Sequence, residues 1–140
     1  MAFHHVLRVR FGECDMQGVV FFARYPEYFD LAMTELWRTE MGGWERMLEL
    51  GADLVVAELN VRYRGSARFE DVLDVEAFVE RLGETSVRFG FAITREDGGE
   101  RLAEGALRYV AIDPATKAKR PIPGEVRSML ERHLAAEPAA

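Results

Sequence analysis

Residues 11–41 read FGECDMQGVVFFARYPEYFDLAMTELWRTEM. The second half of this stretch predicts a helix over about Arg24 to Met41, because its apolar residues recur at the i, i+3, i+4 spacing of one helix face. Pro26 is tolerated in the first turn, and Gly42-Gly43 is a typical helix end. The apolar positions are Tyr25, Tyr28, Phe29, Ala32, Met33, Leu36, Trp37 and Met41. A helix with so wide an apolar face must be covered by other elements.

Segments of alternating apolar and polar residues surround this helix. Alternation with period 2 predicts strands, and the turns containing Gly83 and Asp97-Gly98-Gly99 indicate antiparallel neighbours. One segment runs from Phe3 to Phe11. The others carry Leu59, Val61 and Tyr63; Leu73, Val75, Ala77 and Val79; Val87, Phe89, Phe91 and Ile93; and Ala103, Gly105, Leu107, Tyr109 and Ala111.

Two short elements complete the prediction. Residues Trp44 to Leu50 suggest a helical turn, and a final helix is expected over about Gly124 to Ala136, with Val126, Met129, Leu130 and Leu134 on one side. The sequence therefore predicts a single α+β domain over residues 1–140. In it, one antiparallel sheet wraps around a long central helix.

Composition narrows the possible partners and the compartment. The chain is 49% hydrophobic and 30% charged, with a net charge of −6 that argues against a nucleic-acid partner. Its single cysteine excludes an internal disulfide and fits a reducing compartment. No stretch approaches the roughly 20 apolar residues of a membrane helix, and the N-terminus does not resemble a signal peptide. We expect a cytoplasmic protein that has no membrane partner and forms oligomers, because one layer of sheet leaves apolar surface open.

The loop before the long helix contains the candidate chemistry. Helix N-termini expose unpaired N–H groups that suit a developing oxyanion. Asp15 lies seven residues before Phe22, at the expected helix start. A carboxylate facing such donors can attack a carbonyl or activate a water molecule. For a lone loop aspartate, the alternative is a cap of a helix or turn.

This loop and helix resemble the 4-hydroxybenzoyl-CoA thioesterase family of hotdog-fold proteins, including the type associated with the Tol-Pal system. The resemblance rests on Asp15, Gly18-Val19-Val20, Tyr25 and the apolar helix through Trp37, and the order of elements matches over about residues 3–135. It implies that Asp15 is the nucleophile or general base and that the backbone N–H of Phe22 polarises the thioester carbonyl. It also implies a site at a dimer interface, in a homodimer or homotetramer.

Further site residues follow from the resemblance. Ser86 is expected to hydrogen-bond the substrate or a water molecule, Gly18 and Val19 to bind substrate, and Phe21, Phe22 and Tyr25 to shape the acyl pocket. Some relatives carry a basic run before the position of Ser86, where this chain has Gly83-Glu84-Thr85. The coenzyme A phosphates then need other partners, for which the candidates are Arg62, Arg64 and Arg88, with Arg68 and Arg120 as further possibilities.

Other reactive residues favour structural interpretations. Cys14 has no histidine nearby in the sequence to activate it. Glu13 is expected to be an exposed acid at a strand end, although its proximity can also raise the pKa of Asp15. Glu27 and Glu35 fall on or near the polar helix face. The three histidines, His4, His5 and His133, lack metal-ligand spacing and are expected on the surface or on strands.

The predicted reaction is hydrolysis of a small aromatic or short-chain acyl-CoA to the free acid and coenzyme A, with no metal or redox cofactor implied. A hotdog dehydratase is disfavoured, because none of the three histidines lies at the long helix. A non-catalytic acyl-CoA sensor or carrier on the same fold remains the alternative.

Overall fold

The structure is a computed structural model, and it describes residues 1–135. These residues form five strands and three helices. They are β1 (Phe3–Arg8), α1 (Tyr25–Met41), α2 (Glu45–Glu49), β2 (Asp53–Tyr63), β3 (Val72–Leu82), β4 (Ser86–Arg95), β5 (Arg101–Ile112) and α3 (Gly124–Glu131). Two 3-10 turns, Phe11–Glu13 and Phe22–Arg24, lie between β1 and α1.

All five strands form one antiparallel sheet in the order β1-β3-β4-β5-β2. The inward residues of β3 and β4 are almost completely buried: Leu73, Val75, Ala77 and Val79, and Val87, Phe89, Phe91 and Ile93. The sheet packs this face against α1, where Phe29 stacks on Phe91 with ring centroids 4.5 Å apart. The predicted arrangement of an antiparallel sheet around a long helix is confirmed.

Helix α1 buries the positions that its sequence periodicity indicates. Seven of the eight apolar residues are buried, and Met41 is partly buried at the end. The helix ends at Gly42, whose φ of 77° and N–H bond to the Arg38 carbonyl make a left-handed cap. No helix of the described residues has both the length and the apolar character needed to span a membrane.

The predicted boundaries need two corrections. β1 ends at Arg8 and not at Phe11, because residues 11–13 turn into a 3-10 helix. The last helix ends at Glu131, and Leu134 instead forms a parallel bridge with Val79; Ala136 lies outside the described residues. This bridge brings the end of the described chain to its beginning, where the Met1 ammonium group donates to the Arg132 carbonyl at 3.1 Å.

Strand β2 is an edge of the sheet, and its alternating pattern does not produce a buried face. Leu59 and Tyr63, expected on the inner side, are 45% and 47% exposed, and Val55 and Val56 are also exposed. A bulge between Val56 and Glu58 shifts the register with β5. An exposed apolar edge strand is unusual in a protein that remains monomeric.

Candidate active site

Asp15 begins a tight turn in the loop before α1. Its N–H donates to the Val19 carbonyl at 2.9 Å, and its carbonyl accepts the Gly18 N–H at 3.0 Å. Gly18 has a φ of 78°, which favours glycine. The half-buried Asp15 carboxylate accepts the Gln17 N–H on Oδ1 at 2.8 Å. Its Oδ2 has no hydrogen-bond partner within residues 1–135, so one oxygen is free for chemistry.

Two backbone donors open the 3-10 turn that leads into α1. The N–H groups of Phe22 and Ala23 have no hydrogen-bond acceptor among the described residues, whereas the Phe21 N–H donates to the Glu13 carbonyl at 2.9 Å. The side chains of Phe21 and Phe22 are 43% and 62% exposed. The loop thus presents a carboxylate oxygen, free N–H groups and apolar rings on adjoining segments.

The segment between β2 and β3 holds this loop in place. Val20 donates to the Ala67 carbonyl at 2.8 Å, and Val19 forms a bridge with Arg68. Tyr25 is only 2% exposed, and its hydroxyl accepts the Ala67 N–H at 3.1 Å. The structure therefore places Tyr25 in the core, where its hydroxyl binds Ala67, the residue that also accepts the hydrogen bond from Val20 of the loop.

Glu13 is not an exposed strand-end acid, as its position suggested, but is 6% exposed. Its carboxylate accepts the Tyr28 hydroxyl at 3.0 Å and the Arg10 N–H at 2.9 Å, and the Arg10 guanidinium lies 3.2 Å away. Burial alone would raise the pKa of Glu13, but these hydrogen bonds outweigh burial and lower the pKa below its ordinary value. Burial beside this carboxylate raises the pKa of Tyr28, which therefore remains a protonated donor. Glu13 thus fastens the loop to α1.

Ser86 does not lie near Asp15 within one protomer. It is the first residue of β4, whereas the Asp15 loop meets the chain near Ala67, beside the other end of that strand, where Arg95 binds the Ser66 carbonyl. Nine residue steps along β4 correspond to a separation on the order of 25–30 Å. A joint role for Ser86 and Asp15 therefore requires two subunits.

The candidate arginines differ in their partners. Arg64 pairs with Glu104 at 2.6 Å, and Arg88 with Glu80 at 2.8 Å. Arg62 is exposed and has no carboxylate in ion-pair range among the described residues. Arg62 and Arg88 both line a hollow of about 730 Å³ on the outer face of the sheet, which Glu76, Glu80 and Glu104 also line. These acids make that hollow a poor site for polyphosphate, but leave Arg62 as the available cation.

The remaining candidates have ordinary surroundings, with one exception. Cys14 is half-buried, and its Sγ lies 3.9 Å from the Arg10 carbonyl. On the polar side of α1, Glu27 pairs with Arg24 and Glu35 with Arg38. The exception is His133, which is buried rather than on the surface.

The ring of His133 contacts the Glu40 carboxylate at 2.8 Å and the Met1 carbonyl at 3.0 Å. This contact joins the end of α3 to α1 and to the start of the chain. Over residues 1–135, no three His, Cys, Asp or Glu side chains converge to bind a metal ion.

The fold and the loop define a class of protein, and comparisons with known proteins identify it. The family model described as Thioesterase superfamily matches residues 17–102. The acyl-CoA thioester hydrolase YbgC of Escherichia coli O6:H1 is 26% identical over 124 residues, which are 89% of this chain and 92% of that protein. The long-chain acyl-CoA thioesterase FadM of Escherichia coli K12 is 28% identical over 127 residues, 90% and 95% of the two chains.

Among solved structures, a 1,4-dihydroxy-2-naphthoyl-CoA thioesterase from Synechocystis superposes with a TM-score of 0.86. It is 18% identical, and the match covers 93% of this chain and 96% of that one. The chain has the hotdog fold and belongs to the Thioesterase superfamily. The expectation of a thioester hydrolase is confirmed at the level of this family; the assignment to the 4-hydroxybenzoyl-CoA branch stays a prediction.

Two residues that support the site were missed in the sequence. Glu13 has a detectable signal, because an acid two residues before Asp15 is followed by Tyr28 on the buried helix face. Tyr63 donates its hydroxyl to the Phe22 carbonyl at 2.8 Å. No local pattern indicates that contact, because the two residues are 41 positions apart in the sequence. They come together only because the folded sheet places the end of β2 beside the loop.

Replacing Glu13 by glutamine tests the fastening of the loop. Because the folded-state pKa of Glu13 is below its unfolded value, its stabilisation is present above the unfolded pKa of about 4.3 and is lost as the pH falls through the folded pKa. We expect Glu13→Gln to cost about 1–3 kcal/mol at pH 7 and less at pH 3.5. Denaturant unfolding at both pH values measures the difference.

The exposed acid Glu27, replaced by glutamine, is the control for Glu13→Gln and should change stability by less than about 0.5 kcal/mol. If Glu13→Gln lowers the free energy of unfolding by the same amount at both pH values, the ionised carboxylate contributes nothing to stability.

Proposed function

We propose that this protein hydrolyses an acyl-CoA thioester to the carboxylic acid and coenzyme A. The observation that carries the proposal is the free Oδ2 of Asp15 on the loop that also presents the unpaired N–H groups of Phe22 and Ala23. The names of YbgC and FadM support the substrate class. The exposed rings of Phe21 and Phe22 suit a small aromatic or short aliphatic acyl group.

Two reaction routes fit these groups. In the first, Asp15 attacks the thioester carbonyl carbon, the C–S bond breaks, and coenzyme A leaves as a thiolate that takes a proton from water; a water molecule then hydrolyses the mixed anhydride. In the second, Asp15 removes a proton from a water molecule, whose oxygen attacks the carbonyl directly; the C–S bond then breaks, and the coenzyme A thiolate takes the proton back from Asp15. In both routes negative charge develops on the carbonyl oxygen, and the Phe22 N–H stabilises it.

The working unit is proposed to be a dimer joined through β2, alone or within a tetramer. The support is the unpaired edge of β2 with its exposed Val55, Val56 and Leu59. Pairing two such edges about a two-fold axis places the Tyr63 end of one strand beside the Asp53 end of the other.

This pairing offers a role for Ser86. Ser86 lies opposite Val110, and Val110 opposite Val55, so all three belong to the Asp53 end of the sheet. In the dimer, the partner subunit's Ser86 approaches the Asp15 loop. A cavity of about 640 Å³ lined by Met33, Trp37, Trp44, Leu54 and Val56 lies at the same end and provides room for an acyl group.

Asp15→Asn should abolish most activity while the fold is kept, because the amide can neither attack the carbonyl nor accept the proton of water. We expect kcat to fall by about 10²–10⁴-fold, with little change in KM. Asp15→Glu should also be poor, since an oxygen displaced by about 1 Å can cost on the order of 10²-fold. Thiol release from acetyl-, hexanoyl-, benzoyl- and palmitoyl-CoA, followed with a colorimetric thiol reagent, measures these effects.

The matched control is Cys14→Ala, which should retain most activity. A folded Asp15→Asn protein within a few-fold of wild type would exclude Asp15 as the catalytic carboxylate. If wild-type protein binds these thioesters but releases no thiol, the non-catalytic sensor or carrier becomes the better assignment.

Leu59→Lys tests the dimer, because a buried lysine in the centre of β2 would lack a partner charge. Wild type should have a light-scattering mass of at least twice 15.9 kDa at micromolar concentration. Leu59→Lys should approach the monomer mass and lose activity. Val6→Lys, at a similarly exposed position on the opposite edge strand, should keep both. A wild-type monomer would refute the dimer and the role of Ser86.

Arg62→Ala should raise KM and leave kcat nearly unchanged if Arg62 contacts the coenzyme A phosphates, because such a contact is equal in ground and transition states. The KM difference between wild type and variant should shrink as salt is added. Arg64→Ala and Arg88→Ala should have smaller effects, since acids already pair with both side chains. Unchanged KM in all three variants would exclude these arginines as phosphate ligands.

A further inference from the structure

The Tyr63 hydroxyl makes an unusual contact for a side chain at the end of an exposed edge strand. It donates to the Phe22 carbonyl oxygen at 2.8 Å, and the Tyr25 N–H donates to the same oxygen. Both lone pairs of that oxygen are therefore occupied. The Tyr63 ring also packs edge-on against Tyr25 and Phe22, with centroids 5.2 Å and 6.5 Å away. These contacts fix one particular peptide group, the one joining Phe22 to Ala23.

Holding this carbonyl also fixes the N–H of Ala23. A trans peptide is planar, and its C=O and N–H bonds point in opposite directions. The Ala23 N–H therefore points away from Tyr63, and it has no acceptor within residues 1–135. Hydrogen bonds in a chain polarise one another, so two donors on the Phe22 oxygen also make the Ala23 N–H a stronger donor.

We propose that Tyr63 is a positioning residue for catalysis, which holds and polarises the Phe22–Ala23 peptide so that the Ala23 N–H acts as a second oxyanion donor beside that of Phe22. This inference rests on the proposed function and deepens it. Tyr63 itself touches no reacting atom. Partial burial raises the pKa of Tyr63, so the hydroxyl remains a donor at neutral pH.

The local contacts distinguish this role from simple packing. The rings of Tyr25 and Phe22 hold the Tyr63 ring whether or not it carries a hydroxyl, so Tyr63→Phe removes one hydrogen bond and keeps the apolar contacts. Tyr28→Phe is the matched variant, because it also removes a hydrogen-bonded hydroxyl from the tyrosines around this loop. Its partner, however, is the Glu13 carboxylate and not the donor peptide.

The first measurement is steady-state kinetics with benzoyl-CoA. Tyr63→Phe should lower kcat by about two- to tenfold, the effect of one neutral hydrogen bond, with KM and the light-scattering mass unchanged. The second measurement is the infrared carbonyl stretch of benzoyl-CoA labelled with ¹³C at the thioester carbon and bound to the Asp15→Asn protein, which should hydrolyse it only slowly. Oxyanion donors lower this frequency, and adding Tyr63→Phe should return it part of the way to the value in water. Adding Tyr28→Phe instead should lower the melting temperature without moving the frequency.

The outcomes separate this inference from the proposed function. Suppose that wild type hydrolyses thioesters, that Tyr63→Phe has the same kcat, and that adding Tyr63→Phe to Asp15→Asn leaves the carbonyl frequency unchanged. Only the role of Tyr63 is then refuted. A change in KM or in mass with unchanged kcat would assign Tyr63 to substrate binding or to the subunit interface, which also overturns the inference. If wild type releases no thiol from any acyl-CoA, the proposed function and this inference fail together.

Discussion

The burial of one face of α1 by the concave side of the sheet is the constraint on which the rest of the structure depends. Phe29, Ala32 and Leu36 have no exposed surface, and the inward residues of the strands that cover them are almost completely buried as well. The inner face of the sheet is filled mainly by α1, and α2 and α3 add Met47, Met129 and Leu130 to the same core. The loop before α1 must then enter at the mouth of the curved sheet, where its backbone meets the chain between β2 and β3 at Ala67.

This entry explains why so many polar contacts lie around a short segment. An irregular loop at the edge of an apolar core has backbone groups that need partners. Side chains supply several of them: Glu13 accepts the Arg10 N–H at the start of the loop, the Tyr25 hydroxyl accepts the N–H of the adjoining Ala67, and the Tyr63 hydroxyl donates to the Phe22 carbonyl. Among the groups that residues 1–135 leave without a partner are the Phe22 and Ala23 N–H groups and one oxygen of Asp15. A loop so fully fixed elsewhere holds these free groups in a defined geometry, which transition-state stabilisation requires.

The sequence predicts the architecture well, because helix periodicity and strand alternation both report burial. Residues Tyr25 to Met41 and the inward sets of β3 and β4 lie where their patterns indicate. Alternation failed to predict burial on β2, since a pattern reports the face a residue presents and not whether another layer covers that face. The depth of Glu13 and of His133 was missed for a related reason. Ionisable residues are normally exposed. Arg10 and Tyr28 make the burial of Glu13 tolerable, and Glu40, 93 positions away in the sequence, makes that of His133 tolerable.

The two ends of the described chain meet, because Leu134 bridges Val79 while the Met1 ammonium group and carbonyl contact Arg132 and His133. Because the ends are adjacent, the order of the elements along the chain can be changed while their arrangement in space is kept. A short linker could join the two ends, and new ends could then be made at the exposed Gly98-Gly99 turn. This turn lies near the Asp15 loop, at the end of the sheet where the chain passes from β2 to β3. Such a circular permutant would keep all five strand partners while placing β5 first in the chain. The contacts between elements that define the hotdog architecture would then form from a chain synthesised in a different order.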